Sequence, residues 1–140
     1  MDKSEKTLAN VTPAEQPGKS EETGRARAGV ASDELEALRL ETARDVLHGL
    51  AASNPYDPAT WAMLAVLERY RGQLLAARVC AGRAYRLAPT DPLVRLVRAE
   101  VLLCTPDDRA CAAGELRALA SVAGPVGMRA EALLAALGDG

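Results

Sequence analysis

A chain of 140 residues with 49% hydrophobic residues is long enough to build the core of one domain, and a second folded domain is not expected. Aromatic residues make up only 3% of it and phenylalanine is absent, so the core must consist mainly of alanine, leucine and valine. That composition favours packed helices over a β-sandwich. The net charge of -2 lacks the attraction that a dedicated nucleic-acid binder needs. We therefore predict an all-α protein that does not bind nucleic acid.

Residues 1–31 differ in composition from the rest of the chain. Charged, small and polar residues dominate, with Leu8, Val11 and Val30 as almost the only large apolar groups. Such a segment buries too little apolar surface to offset its ordering entropy. We predict a disordered tail over residues 1–31, dispensable for folding, followed by a helical domain over residues 32–138.

Helical spacing begins at Ser32, which is placed to cap a first helix that ends near Ser53. The predicted apolar stripe of this helix consists of Leu35, Leu38, Val46, Leu47 and Leu50. Further helices are predicted from Pro58 to about Tyr70, from Leu74 to Ala88, from Pro92 to Leu103, from Thr105 to about Val122 and from Pro125 to Gly138.

The cysteine and hydropathy patterns predict the compartment. Cys80, Cys104 and Cys111 cannot all pair within one chain, and no secretory signal pattern opens the sequence. Apolar stretches are interrupted well short of the roughly 18 residues that a membrane helix needs. We expect a reduced cytoplasmic protein with buried structural thiols and no membrane insertion.

An aspartate-proline pair recurs along the chain, at Asp57 and Pro58 and again at Asp91 and Pro92, 34 residues later. This period, with paired helices, resembles the tetratricopeptide repeat. The residues that match its packing positions in the clearest copy are Trp61, Leu64, Ala65, Ala77, Ala84 and Pro89. The resemblance implies helical hairpins stacked in a short solenoid of about two and a half repeats plus a C-terminal helix.

The copies depart from the family pattern in places. Glu68 stands where the family favours tyrosine, which predicts a looser core. In the next copy Ala99 and Ala118 keep the register, whereas Arg95 and Arg98 replace apolar residues. That copy is therefore degenerate.

A narrower resemblance is carried by the run ARDVLHGLAASNPYDPATWAMLAVLERYRGQLLAARVCAGRAYRLAPTDPLVRLVRAEVLL. It is similar to the class II chaperones of bacterial type III secretion, which hold translocator proteins in the cytosol before export. The resemblance implies a protein-binding adaptor with a concave groove for an extended segment of a client protein. The alternative is a non-catalytic scaffold subunit of a secretion system or of another multiprotein assembly.

The groove is expected on the first helix of each pair, where the spacing returns side chains to one face. The residues assigned to client binding are Ala62, Val66, Arg69, Tyr70, Leu96, Glu100 and Leu103. Residues 58–104 hold seven arginines against three acids, so an acidic client is one interpretation of Arg69, Arg95 and Arg98. The other is that arginine stems cover apolar surface.

No nucleotide-binding, zinc-protease or nucleophile-elbow motif occurs, and the only histidine, His48, has no metal-ligand spacing around it. We therefore expect no enzyme activity, no metal and no cofactor. The acidic first helix could pair with the basic middle of a second copy to form a homodimer. A monomer in which that helix packs on Trp61 and Leu64 is the alternative.

Overall fold

The computed structural model describes the backbone of residues 17–138 and the side chains of residues 31–138. This part of the chain is all-helical, as predicted, with six α-helices, one 3-10 turn and no strand. The elements are α1 (Pro17–Ser53), α2 (Pro58–Tyr70), α3 (Leu74–Leu87), α4 (Pro92–Leu102), the 3-10 turn (Pro106–Asp108), α5 (Arg109–Leu119) and α6 (Pro125–Ala136). Within that described range, no helix is both long and apolar enough to cross a membrane.

The described part of the chain divides into two units, with the boundary between Arg39 and Leu40. The described part of the first unit is the N-terminal portion of α1, which begins at Pro17. The helix start predicted at Ser32 is wrong, because the helix continues through that residue. The disordered tail predicted for residues 1–31 lies outside the described residues over 1–16, and the backbone of 17–31 belongs to α1.

Helices α2 and α4 begin in the same way, as the repeated aspartate-proline pair predicts. Asp57 Oδ1 accepts a hydrogen bond from the Ala59 amide at 3.0 Å, and Asp91 Oδ1 accepts one from the Leu93 amide at 2.9 Å. The following proline takes the first helical position, where a missing N–H leaves no bond unmade.

Two clusters of buried residues form the core of the second unit. The first core cluster comprises Leu47, Ala51, Trp61, Ala62, Leu64, Ala65, Leu67, Ala77, Cys80, Ala81, Ala84, Val94, Val97 and Val101. The second core cluster comprises Leu96, Ala99, Ala113, Leu116, Leu119, Ala130 and Leu134. Helix α4 supplies Val94, Val97 and Val101 to the first core cluster and Leu96 and Ala99 to the second. This helix therefore packs in both clusters.

Of the residues assigned to repeat packing, five are buried in the core and one is exposed. Trp61, Leu64, Ala65, Ala77 and Ala84 are all members of the first core cluster. Pro89 is exposed and follows α3, which ends at Leu87.

Helix α1 presents a different face to the core from the one predicted. Its residues in or against the first core cluster are Leu40, Ala43, Leu47 and Ala51, a spacing of three and four that returns to one face. Of the predicted stripe only Leu47 is buried, and the exposed members are Leu35, Leu38, Val46 and Leu50. The prediction mixed residues from two faces of one helix.

Two glycines occupy positions at which a side chain would be strained. Gly72, between α2 and α3, has a φ of 78°, a conformation that costs other residues energy. Gly127 lies in the first turn of α6, where a Cβ atom would stand 1.8 Å from the Val122 carbonyl oxygen. Only glycine lets α6 approach the preceding turn this closely.

Candidate protein-binding face

Helix α2 packs beside α4, and α4 packs beside α6, so these three alternate helices are neighbours in space. Their side chains meet around Glu100 of α4. Arg69 Nη2 lies 3.6 Å from Glu100 Oε1, and Arg129 Nη2 of α6 lies 2.8 Å from the same oxygen. Hydrogen bonding to Glu100 raises the pKa of the Arg129 guanidinium. One carboxylate thus links α2, α4 and α6.

Tyr70 is the accessible aromatic residue beside this carboxylate. Its side chain is 71% exposed, and the Arg69 guanidinium lies over its ring at 5.2 Å from the centroid. We call Arg69, Tyr70, Glu100 and Arg129 the Glu100 cluster. Three of its four members were predicted from the sequence; Arg129 was not.

The apolar residues predicted for the groove lie elsewhere, inside the two core clusters or against them. Ala62 and Leu96 are buried, at 4% and 6% exposure. Val66 packs against the first core cluster and Leu103 against the second, both half-buried. The structure therefore brings the polar members of the predicted groove together and uses the apolar members for its own packing.

The arginines that suggested an acidic client have partners within the chain. Arg95 of α4 pairs with Glu115 of α5 through Nε and Oε1. Arg98 lies over the Tyr85 ring of α3 at 4.3 Å from the centroid. With Arg69 paired to Glu100, each of these three arginines has a contact within the chain.

The main feature that sequence reasoning missed is a buried charge network at Glu68. This side chain belongs to a residue only 4% exposed, and its Oε1 lies 2.7 Å from Arg71 Nη1 and 3.5 Å from Arg44 Nε of α1. Arg71 Nη2 also contacts Glu41 of α1 at 2.6 Å. Hydrogen bonding to Glu68 raises the pKa of the Arg71 guanidinium.

The signal for this burial was present in the sequence. Residues 61, 64, 65 and 68 recur at helical spacing, so a face that buries Trp61 and Leu64 also carries Glu68 inward. A buried carboxylate requires paired charges, which Arg71 after α2 and Arg44 of α1 supply. The sequence predicts a looser core at this position, and the structure has an ion-pair network there instead.

The cysteines and histidine carry no assembled site. Cys80 is buried, and burial raises the pKa of its thiol. Cys104 and Cys111 are exposed, so the prediction of buried thiols is wrong for these two. His48 is exposed, and within the described residues no group of three or more possible metal ligands comes together.

Comparison of the chain with protein-family models, with curated proteins and with solved structures finds no match.

Proposed function

We propose that this chain is a tetratricopeptide-type adaptor that binds another protein, acting in the cytosol as a secretion chaperone of the kind that class II type III chaperones exemplify. The observation that carries the proposal is the packing of alternate helices. Helices α2, α4 and α6 lie side by side, while α3 and α5 each contact the helix before them. Stacked helical hairpins produce this pattern, and they offer the face of their first helices to a partner.

The Glu100 cluster is the part of that face best suited to a partner. Tyr70 supplies a large, mostly exposed aromatic ring, and such residues dominate the binding energy of protein interfaces. Glu100 and its two arginines hold the three helices in a fixed relation beside it. A preorganised surface loses less entropy on binding.

The test compares two substitutions in the full-length chain, Tyr70→Asp and Leu75→Asp. Both replace an exposed apolar side chain, 71% and 80% accessible, with the same charge, and Leu75 lies on α3, which contributes no residue to the Glu100 cluster. Affinity capture from the native host followed by mass spectrometry identifies the partner, and titration with that purified partner gives the affinities. We expect Tyr70→Asp to weaken binding at least tenfold, since burying a large side chain is worth roughly 1.5–3 kcal/mol.

Circular dichroism must show both variants folded. A partner whose affinity is the same for wild type and Tyr70→Asp would contradict binding at this face. The mass of the complex separates the two roles: a small soluble complex that suppresses client aggregation fits a chaperone, whereas stable incorporation into a large assembly fits a scaffold subunit.

A further inference from the structure

A cleft of about 310 Å³ opens between the α1–α2 connection and the C-terminal half of α3. Its lining residues are Pro55, Tyr56, Trp61, Arg83, Arg86 and Leu87. None of them belongs to the Glu100 cluster. The cleft is therefore a separate surface from the one proposed above.

Trp61 forms one wall of the cleft and makes two contacts there. Trp61 Nε1 donates a hydrogen bond to the Pro55 carbonyl oxygen at 2.7 Å, which ties α2 to the preceding loop. The Arg83 guanidinium lies over the indole ring at 4.6 Å from the centroid. Tyr56 and Leu87 add exposed apolar surface, at 78% and 39% accessibility.

The positive charge of this cleft is not neutralised within the part of the chain that the structure describes. Neither Arg83 nor Arg86 lies in an ion pair there. By contrast, ion pairs are formed by Arg44, Arg69, Arg71, Arg78, Arg95 and Arg129, among others. Asp57, in the adjoining loop, uses its carboxylate to accept bonds from the Ala59 amide and the Thr60 hydroxyl.

The two arginines are three residues apart on α3, so they lie on the same side of the helix. We propose that this cleft binds an acidic peptide segment of a partner protein. A carboxylate of the segment pairs with Arg83 and Arg86, and a neighbouring large apolar side chain packs against Tyr56 and Leu87. Arginine suits such a carboxylate because its planar donors can bind both oxygens.

Trp61 is the only tryptophan of the chain and lines this cleft, so its fluorescence gives a signal from the site itself. The probe is a blocked tetrapeptide of alternating glutamate and leucine, titrated against the full-length protein, with the matched glutamine-leucine peptide as comparison. We expect a saturable fluorescence change with the acidic peptide, at least fivefold weaker binding of the amide peptide, and loss of affinity as salt rises.

The variants are Arg86→Gln, which leaves the indole contact intact, and the double change Arg83→Gln with Arg86→Gln. Arg117→Gln is the control, because Arg117 lies in the last turn of α5 and is not among the residues that line the cleft. Each cleft arginine should contribute about threefold to fivefold in affinity, and the control nothing. Calorimetry checks the double variant, whose tryptophan signal itself changes.

Equal binding of the two peptides, or full binding by the folded double variant, would overturn the proposal. So would preferential binding of a short single-stranded oligonucleotide, which would assign the cleft to nucleic acid. Tyr70→Asp should leave the peptide titration unchanged, so this test is independent of the proposed client face.

Discussion

The pair of helices α2 and α3 and the pair α4 and α5 build their cores with the large side chains on opposite partners. In the first pair the bulk lies on α2, where Trp61 and Leu64 are buried against small alanines of α3. In the second pair α4 carries Arg95 and Arg98 at the matching positions and adds one leucine, Leu96, to the second core cluster, whereas α5 adds two fully buried leucines, Leu116 and Leu119. The volume between two helices can thus be filled from either side.

A change of register accompanies this exchange. Pro58 and Pro92, the first residues of α2 and α4, are 34 positions apart, whereas Leu74 and Arg109, the first residues of α3 and α5, are 35 apart. Helix α4 is two residues shorter than α2 and the connection after it, which contains the 3-10 turn, is three residues longer, a net gain of one residue. Its consequence is that Ala118, predicted to match Ala84, is exposed, and Leu119 is buried instead.

The two helix pairs also differ in how deeply they bury their charged side chains. The first pair buries Glu68 among arginines, while the corresponding position of the second pair is Leu102, which is half-buried. The second pair keeps its ion pair, Arg95 with Glu115, near the surface, where both side chains remain about one-quarter exposed. A helix pair whose residues differ in type from those of its neighbour can therefore still bury a core and pair its charges.

The strongest test of this exchange is the pair Leu64→Ala and Leu116→Ala. Both leucines are 0% exposed, one on α2 and one on α5, so each truncation leaves a cavity in its own core cluster. We expect each to lower the free energy of unfolding by about 2–5 kcal/mol, measured by urea denaturation. Leu75→Ala, at an 80% exposed site of α3, is the control and should change it by less than about 0.5 kcal/mol.

If Leu116→Ala were as mild as the control, α5 would not carry the bulk of the second core and the comparison would fail. Two separate unfolding transitions, each shifted by only one variant, would show instead that the two core clusters unfold independently.

The charge comparison is tested by Glu68→Gln and Glu115→Gln. The first leaves Arg44 and Arg71 without their shared buried carboxylate, and we expect a loss of about 1–3 kcal/mol. The second removes a more exposed pair, and we expect about 0–1 kcal/mol. Urea denaturation at constant pH and salt measures both.

Raising the salt concentration sharpens this test. An exposed pair is screened more than a buried one, so the effect of Glu115→Gln should shrink further while that of Glu68→Gln persists. Equal losses that fall together with salt would show that water reaches Glu68 as freely as Glu115.

Local patterns predicted most of the secondary structure because its signals are local. The aspartate-proline pairs set the starts of α2 and α4, and the glycine-proline pair set that of α6. Small residues at helical spacing, such as Ala65 and Ala77, identified the contact between α2 and α3. These features depend on a few neighbouring residues and a fixed helical period.

What the sequence did not predict depends on distant partners. Nothing near Glu68 shows that Arg44, on another helix, will approach it. Arg69 looked available to a client because its partner Glu100 and the third member, Arg129, come from separate helices. The residue added before α5 shifts a whole helix, and the alanine-rich sequence allows either register.

The third comparison concerns the two matching helix starts and is tested by Asp57→Ala and Asp91→Ala. Each change removes the carboxylate that caps its helix, and we expect a loss of about 0.5–2 kcal/mol. Asp57 should cost more, because its Oδ2 also accepts a bond from the hydroxyl of the buried Thr60 at 3.3 Å, and Asp91 has no such second bond among the described contacts. Thermal unfolding should show a drop of roughly 3–5 °C per kcal/mol.

Asparagine at either position retains the capping oxygen, so Asp57→Asn and Asp91→Asn should restore most of the midpoint and exclude a general effect of charge removal. Thr60→Val removes the second bond at Asp57 while keeping the side-chain shape. In that background Asp57→Ala and Asp91→Ala should cost the same. If Asp57→Ala remained the more damaging change there, the difference between the two helix starts would come from the heavier core that α2 carries rather than from its cap.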